Sequence, residues 1–575
     1  MRQPNYDKYP STKVSGAVWQ GWDSILGQLD KTLGSSRVWA VDLYTGTIEE
    51  EIVQAFRRTG RRIVLTRDLM RSEAEVLEMT RRFMTDDVLF GYISNVRLAE
   101  YFDESKVRAF KESLQKEHLI IIGTGAASLV PDGVPVVYAD MARWEIQQRF
   151  RRHQVRALGV DNHGEAPSLQ YKRGFFNDWN ICDRHKSRLA QSGRIAYWID
   201  TNVTGQPKMI SHDTFMAGIR QTARKPFRPV PFFDPAPWGG QWMKRVCDLD
   251  RQVANYGWCF DCVPEENSLY FDVEGVRFEL PCQDLVMLET RNLLGEAVES
   301  RFGKSFPIRF DFLDTVGGGN LSLQVHPTTE FVHENFGIHY TQDESYYLLD
   351  AEPGATVYLG LREGIDPAAM IDDLRSAQNG GEPFDAEKYV NRWPAKKHDH
   401  FLIPGGTVHC SGAGALVLEI SSTPNLFTFK LWDWQRLGLD GKPRPINIER
   451  GRQVIDFGRD TAYARRHLIN RVEPVARGDG WTEERTGLHP NEFIETRRHW
   501  FTAPVVHHTE GGVNVLNLVE GDEAIVESPS GAFEPFVVHY AETFVVPACV
   551  GEYTIRPYGA SAGRQCGTIK AYVRK

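Results

Sequence analysis

The chain has no long apolar run. Nowhere in its 575 residues is there anything near the roughly 18 consecutive apolar residues that cross a membrane, and the first ten, MRQPNYDKYP, lack the apolar core of a secretory leader. Membrane partners are therefore excluded, and the cytoplasm is the expected location. Cysteine is scarce: eight are scattered along the chain, and the one CxxC, Cys259 to Cys262, has no second pair to complete a zinc site, so the thiols are read as free. Positive charge is in deficit too. Against 76 Asp and Glu there are 67 Lys and Arg, and the formal charge of -9 offers no general attraction to phosphate backbones, which speaks against nucleic-acid partners. The Arg-rich stretch Arg149–Arg152 (RFRR) is accordingly read as a solvated helix face.

What is present is an ordinary globular balance, 41% hydrophobic and 25% charged, over a length too great for one core. The first third alternates strand-like and helix-like segments. Val38–Tyr44 is apolar, Glu49–Arg58 has helical spacing, Arg62–Thr66 is apolar again, Leu119–Ile122 leads into GTGAAS, and Val134–Tyr138 follows. This alternation predicts an α/β layer with a parallel sheet, and Met141–Val155 reads as one long helix. Prolines at 226, 229, 231, 235 and 237 mark a change of texture, so a boundary is placed near 225. From Phe306 onward short β-branched and aromatic runs separated by Gly, Pro and Asn predict an antiparallel barrel, with helical spacing only at Pro367–Gln378 and Ala386–Trp393. After about 455, VNVLNLVEG, EAIVES, FVVHY and TFVVPA predict a second small β unit. The expected fold class is multidomain, α/β plus mainly β, divided 1–225, 226–455 and 456–575, and residues 226–575 are expected to fold alone.

Gln324 and His326 lie two apart in LSLQVHP, so on a strand both side chains leave the same face. Glu344 opens the next strand-like run, DESYYLLDA, and His409 closes the turn IPGGTVHC. Two imidazoles, one carboxylate and one amide oxygen form a mixed N/O set suited to one divalent metal, zinc first. Ser322 shares the strand parity of Gln324 and His326.

FPIRFDFLDTVGGGNLSLQVHP, DESYYLLDAEPGATVYLGL and HFLIPGGTVHCSGAGALVLEISS resemble, in this order, the successive signatures of the type I phosphomannose isomerases. PAPWGGQWM resembles the opening motif of that family, and the tail resembles its C-terminal β domain, so the likeness covers about residues 231–575. It implies a cupin-type β-barrel with a C-terminal cupin-like domain, and a zinc-dependent aldose–ketose isomerase that interconverts mannose 6-phosphate and fructose 6-phosphate or a related hexose phosphate. It also implies Gln324, His326, Glu344 and His409 as the metal ligands, Ser322 and Lys430 as substrate contacts, and Lys430 and Arg436 as catalytic cations. Three positions depart from the family. A family lysine two residues before the metal glutamate is Gln342, an arginine is Lys430, and a lysine before the metal strand is Asp311. His339, Tyr340 and Asp343 lie close enough in sequence to stand in for the lysine, and Gln342→Lys is expected to raise turnover. These departures motivate a second reading, a non-catalytic metal-stabilised sugar-phosphate binding or regulatory protein.

The N-terminal third resembles, faintly, the uridine-kinase-like P-loop folds in AVDLYTGTIEEEIVQAF and LIIIGTGAASL. A P-loop needs a Gly-rich turn ending in Lys-Ser/Thr, and DLYTGTIEEE has neither the lysine nor a second glycine. The domain is read as a degenerate kinase-like unit serving regulation, assembly or substrate docking. The expected partner is a small sugar phosphate, and homo-oligomerisation is left open.

Overall fold

The computed structural model describes residues 4–114, 118–422, 426–438, 441, 444–487 and 489–574. Its first unit is a seven-stranded sheet in the order Val18–Gln20, Lys208–Ser211, Ile195–Asp200, Val136–Asp140, Val38–Leu43, Leu119–Gly123, Arg62–Leu65. The last five of these run parallel, and the first two are antiparallel at one edge. Val38–Leu43 and Leu119–Gly123 are buried at every position because helices cover both faces. Alternate side chains supply the two layers: Trp39, Val41 and Ile120 enter one apolar cluster, while Val38, Ala40 and Ile121 enter the other.

The helix expected over Met141–Val155 is shorter, Arg143–Arg151. Its RFRR segment is a solvated face only in part, at the exposed Arg151 and Arg152. Arg149 is 1% exposed and donates to the carbonyls of Gly46 at 3.0 Å and Thr201 at 2.6 Å, so a buried guanidinium satisfies loop carbonyls at the carboxyl ends of the sheet.

The second unit is a two-sheet β-barrel. One sheet runs His400–Ile403, Glu344–Ala351, Ala415–Ser422, Ile308–Asp314, Trp258–Cys262, Phe232–Asp234; the other runs Val390–Pro394, Thr356–Leu361, His409–Ser411, Leu323–Val325, Phe429–Trp432. Leu348, Val417 and Leu313 of the first sheet and Val357, Val325 and Leu431 of the second share one core. Pro367–Gln378 is helical as expected. Of Ala386–Trp393 only Ala386–Tyr389 is, because Val390–Pro394 adds instead as an edge strand to Thr356–Leu361. The third unit packs a six-stranded sheet on a four-stranded one around Leu516, Leu518, Val526, Phe544 and Ile555.

The three units are stitched together. Thr12–Val14 pairs in parallel with Phe271, Asp272 and Val273, and so joins the strands Ser268–Val273 and Val276–Pro281. Phe90 and Phe176 from the α/β unit sit in the barrel core, where Phe90 lies 5.4 Å from Phe336 and 5.3 Å from Phe429. Lys186 is buried between Asp140 at 3.0 Å and Asp284 at 2.6 Å. Arg228, also buried, pairs with Glu542 of the third unit at 2.8 Å. Among the described residues no helix is long and apolar enough to cross a membrane.

Candidate metal centre and its cavity

The short strand Leu323–Val325 sets Gln324 opposite His409 on one neighbour and opposite Lys430 on the other. Glu344 begins its strand in the other sheet, in register with Ile403 and Ser421. The barrel thereby brings together three residues that the sequence separates. Glu344 Oε1 lies 2.8 Å from His409 Nε2, and Glu344 Oε2 lies 3.0 Å from His326 Nε2. All three side chains are buried.

The outer nitrogens fix the ring tautomers. His326 Nδ1 donates to the Phe427 carbonyl at 3.0 Å, and His409 Nδ1 donates to the Thr407 carbonyl at 2.8 Å. Each Nε2 of a neutral ring then aims a lone pair at a carboxylate oxygen, and His326 Nε2 and Glu344 Oε1 are buried without a hydrogen-bond partner. Lone pairs facing an anion at this distance repel unless positive charge lies between them. One donor atom from each of the three residues falls within 4.8 Å of the others, the arrangement that a single divalent cation satisfies. Gln324 Nε2 stands 3.3 Å from His409 Nε2, so rotation of the amide would present its oxygen to the same point. Burial opposes the Glu344 charge, and only where protons on the two rings take the place of a cation do His326 and His409 hold its carboxyl well below the ordinary range.

Beside this cluster is a cavity of about 280 Å³ that Gln324, Gln342, Glu419, Arg309, Ser322, Lys430 and Arg444 help to line. Gln342, at the position of the family lysine, donates to Glu344 Oε2 at 3.1 Å and to Glu419 Oε1 at 3.3 Å, and so ties a second carboxylate to the cluster. Glu419 also accepts from Arg309 at 2.8 Å and from Ser421 at 3.0 Å. Burial raises its pKa well above the ordinary value, with the Asp311 and Glu344 charges adding and Arg309 opposing. Asp311 itself pairs with Arg309 at 3.2 Å and is absent from the cavity lining.

The cations divide by whether they are already paired. Arg309 faces Asp311 and Glu419, and Arg444 faces Asp433 at 2.9 Å and Ser322 Oγ at 3.2 Å. Lys430 has no ion pair or side-chain hydrogen bond among the described residues. Burial, then the Arg444 charge, bring its pKa down to about 8 against the pull of Asp433. Arg436 does not line the cavity. Its guanidinium is committed to Asp433 at 2.7 Å and to the Asn320 carbonyl, because the turn after Trp432 carries it away from the barrel interior. His339 is exposed and Asp343 accepts from the Gly405 amide at 2.7 Å, so neither lines the cavity either. Sequence reasoning missed Arg444, Arg309 and Glu419. For Glu419 a signal was present, a charged residue within the otherwise apolar run ALVLEISS.

In the α/β unit, the GTGAAS turn is an anion cradle that the protein itself fills. Gly125 and Ala127 amides donate to the Asp42 carboxylate at 3.0 and 2.8 Å, and His185 Nε2 adds a contact of 2.8 Å. The loop Tyr44–Ile48 leads into the helix Glu49–Arg57, whose first turn carries Glu49, Glu50 and Glu51, a charge opposite to that of a phosphate site.

Fold and cluster together define a cupin-like protein with a histidine–carboxylate centre. The Bacillus subtilis mannose-6-phosphate isomerase ManA is 31% identical over 248 residues, which are 42% of this chain and 70% of that protein. The mannose-6-phosphate isomerase of Streptococcus mutans is 27% identical over 224 residues, 39% of this chain and 65% of its own length, so the chain spans about two thirds of these relatives. The chain belongs to the mannose-6-phosphate isomerase family. A crystal structure of the Bacillus subtilis mannose 6-phosphate isomerase matches 61% of this chain and all of that one, with a TM-score of 0.50 at 19% identity, which shows the shared fold. Residues 21–224 match a family described as a domain of unknown function, DUF8485.

Proposed function

We propose that the protein is a zinc-dependent aldose–ketose isomerase acting on mannose 6-phosphate and fructose 6-phosphate or a closely related hexose phosphate. One observation carries this reading: a buried His326–Glu344–His409 cluster adjoins a cavity that holds an unpaired ammonium, Lys430, and a carboxylate of raised proton affinity, Glu419. Family membership supports it.

Gln324, His326, Glu344 and His409 would hold the metal, and zinc suits their mixed N/O set. When bound, the cation supplies fixed positive charge next to the sugar oxygens, where negative charge develops during enolisation. Glu419 is placed to take the proton from one of carbons C1 and C2 and return it to the other. Arg309 and Gln342 hold the Glu419 carboxylate, and desolvation makes it a better base than an exposed glutamate. Lys430, which makes no ion pair among the described residues, binds the phosphate, while Ser322 and Arg444 form a neighbouring polar wall tied to Asp433. For the α/β unit we retain the reading of a degenerate P-loop-kinase-like domain without phosphoryl transfer. Its loops lack the lysine, and Asp42 occupies the amide cradle.

The test is conversion of mannose 6-phosphate by the zinc-loaded full chain, followed through coupled detection of fructose 6-phosphate. Protein that retains stoichiometric zinc and binds mannose 6-phosphate but forms no product would sink the catalytic reading.

A further inference from the structure

The cavity beside the candidate centre is not built by the barrel alone. Trp144, Gln147 and Arg151 lie on one face of the helix Arg143–Arg151, and all three line the same cavity as Gln324, Glu419 and Lys430. This helix belongs to the α/β unit, within the segment matched to the domain of unknown function. Its seating is specified at each turn. The Trp144 ring stacks on Phe232 with centroids 4.0 Å apart and planes 13° from parallel. Gln147 Nε2 donates to Glu266 at 2.6 Å, and Arg151 makes two hydrogen bonds to Asp234 at 2.9 and 2.7 Å. Arg149 anchors the opposite side of the helix to the Gly46 and Thr201 carbonyls.

We propose that this helix is a wall of the substrate cavity and that Trp144 determines which sugar phosphates enter, a role that rests on the isomerase reading above. The Arg151 charge is committed to Asp234, which leaves Lys430 as the phosphate anchor and the indole as the group opposed to the sugar. Phe232 stacks on the Trp144 ring and the Arg151 guanidinium lies 5.3 Å from its centroid, so the indole meets the cavity with its edge, and its N–H, without a partner among the described residues, is free to meet a hydroxyl. A cavity of about 280 Å³ lies at the small end of ligand pockets, which run from roughly 300 to 1,000 Å³. A cavity of this size suits a monosaccharide phosphate. A domain that carries no phosphoryl-transfer machinery thus acts as part of the isomerase site.

The experiment compares full-length wild type, Trp144→Ala and Trp144→Phe at matched zinc content. With Trp144→Ala, KM for mannose 6-phosphate should rise by about 3-fold to 10-fold while kcat stays within about 2-fold, and Trp144→Phe should recover most of the loss. An unchanged KM, or a parallel fall in kcat that Phe does not rescue, overturns the proposal. If zinc-loaded wild type turns over no mannose 6-phosphate, the isomerase reading fails by itself. The wall is then judged by the rate at which 1,10-phenanthroline strips zinc: faster stripping from Trp144→Ala upholds it, and equal rates overturn it.

Discussion

Arg151 and Asp234 form a two-pronged ion pair, 2.9 and 2.7 Å, that joins the α/β unit to the first strand of the barrel. Both partners are partly exposed, so the pair itself contributes only about 0–1 kcal/mol. The weight of the junction lies deeper, in Phe90 and Phe176 within the barrel core and in Lys186 between Asp140 and Asp284. Removing one partner of a buried pair costs about 3–5 kcal/mol. A fragment comprising residues 226–575 is therefore expected to be insoluble or to unfold in much less denaturant than the full chain, the reverse of what its proline-rich junction suggests. Expression of that fragment as a soluble, cooperatively folding protein would refute this.

For the metal centre, His326→Ala and His409→Ala should each abolish stoichiometric zinc, measured by elemental analysis, and lower turnover by more than about 100-fold. Either variant retaining full zinc would contradict the ligand assignment.

Glu419→Gln should leave zinc in place and reduce kcat by about 100-fold to 10,000-fold with little change in KM, as expected for loss of positioned proton transfer. The same geometry reverses the expectation for Gln342→Lys. Gln342 bridges Glu344 and Glu419, so an ammonium there would pair with both carboxylates and lower the proton affinity of Glu419. Turnover at matched zinc content should fall, and a rise would show that Glu419 is not the base.

Lys430 has a pKa of about 8, so its positive charge is lost as pH rises through that value. KM for the sugar phosphate should climb above pH 8. Lys430→Met should raise KM by about 10-fold to 100-fold at pH 7 and remove that climb, in line with about 1.5–3 kcal/mol for a hydrogen bond to a charged group. A wild-type KM that stays level from pH 7 to about 9.5 would place the phosphate elsewhere.

Glu266 reports on the domain junction. It accepts from Gln147 at 2.6 Å and Tyr171 at 2.9 Å, and burial raises its pKa to about 7, against the Arg143 charge and with Glu265 adding. A carboxyl whose folded pKa lies above its unfolded value of 4.5 binds its proton more tightly in the native state, so its contribution to stability falls as pH rises from about 4.5 to about 7 and is constant beyond. Glu266→Gln should flatten that slope in urea unfolding relative to wild type; parallel slopes would exclude Glu266 as the titrating group.

The barrel and the gathering of His326, Glu344 and His409 were legible because strand parity and a run of short motifs carry them. Gln324 and His326 leave one face by period two, and Glu344 opens a strand whose apolar run is unmistakable. The parallel sheet was legible in LIII and VWAVDLY for the same reason. Long-range placement was not. Nothing in RFRR distinguishes the buried Arg149 from its exposed neighbour Arg152, since what decides is the set of carbonyls waiting at Gly46 and Thr201. Arg436 and Arg444 are likewise indistinguishable as cations, and only the turn after Trp432 sends one to Asn320 and leaves the other at the cavity. The contribution of Trp144 lies in contact between units far apart in sequence, which no local pattern encodes.

The pairing of Thr12–Val14 with Phe271–Val273 has a consequence for assembly. During synthesis this strand emerges long before its partner, so it stays unpaired while the whole parallel sheet passes out behind it. Pairings of such high sequence separation form late and slowly. The α/β unit cannot complete its own surface until the hairpin Ser268–Pro281 exists, and the helix bearing Trp144 can seat only against the barrel that follows. Completion of the cavity and pairing of Thr12–Val14 thus both wait for segments that are made after the α/β unit.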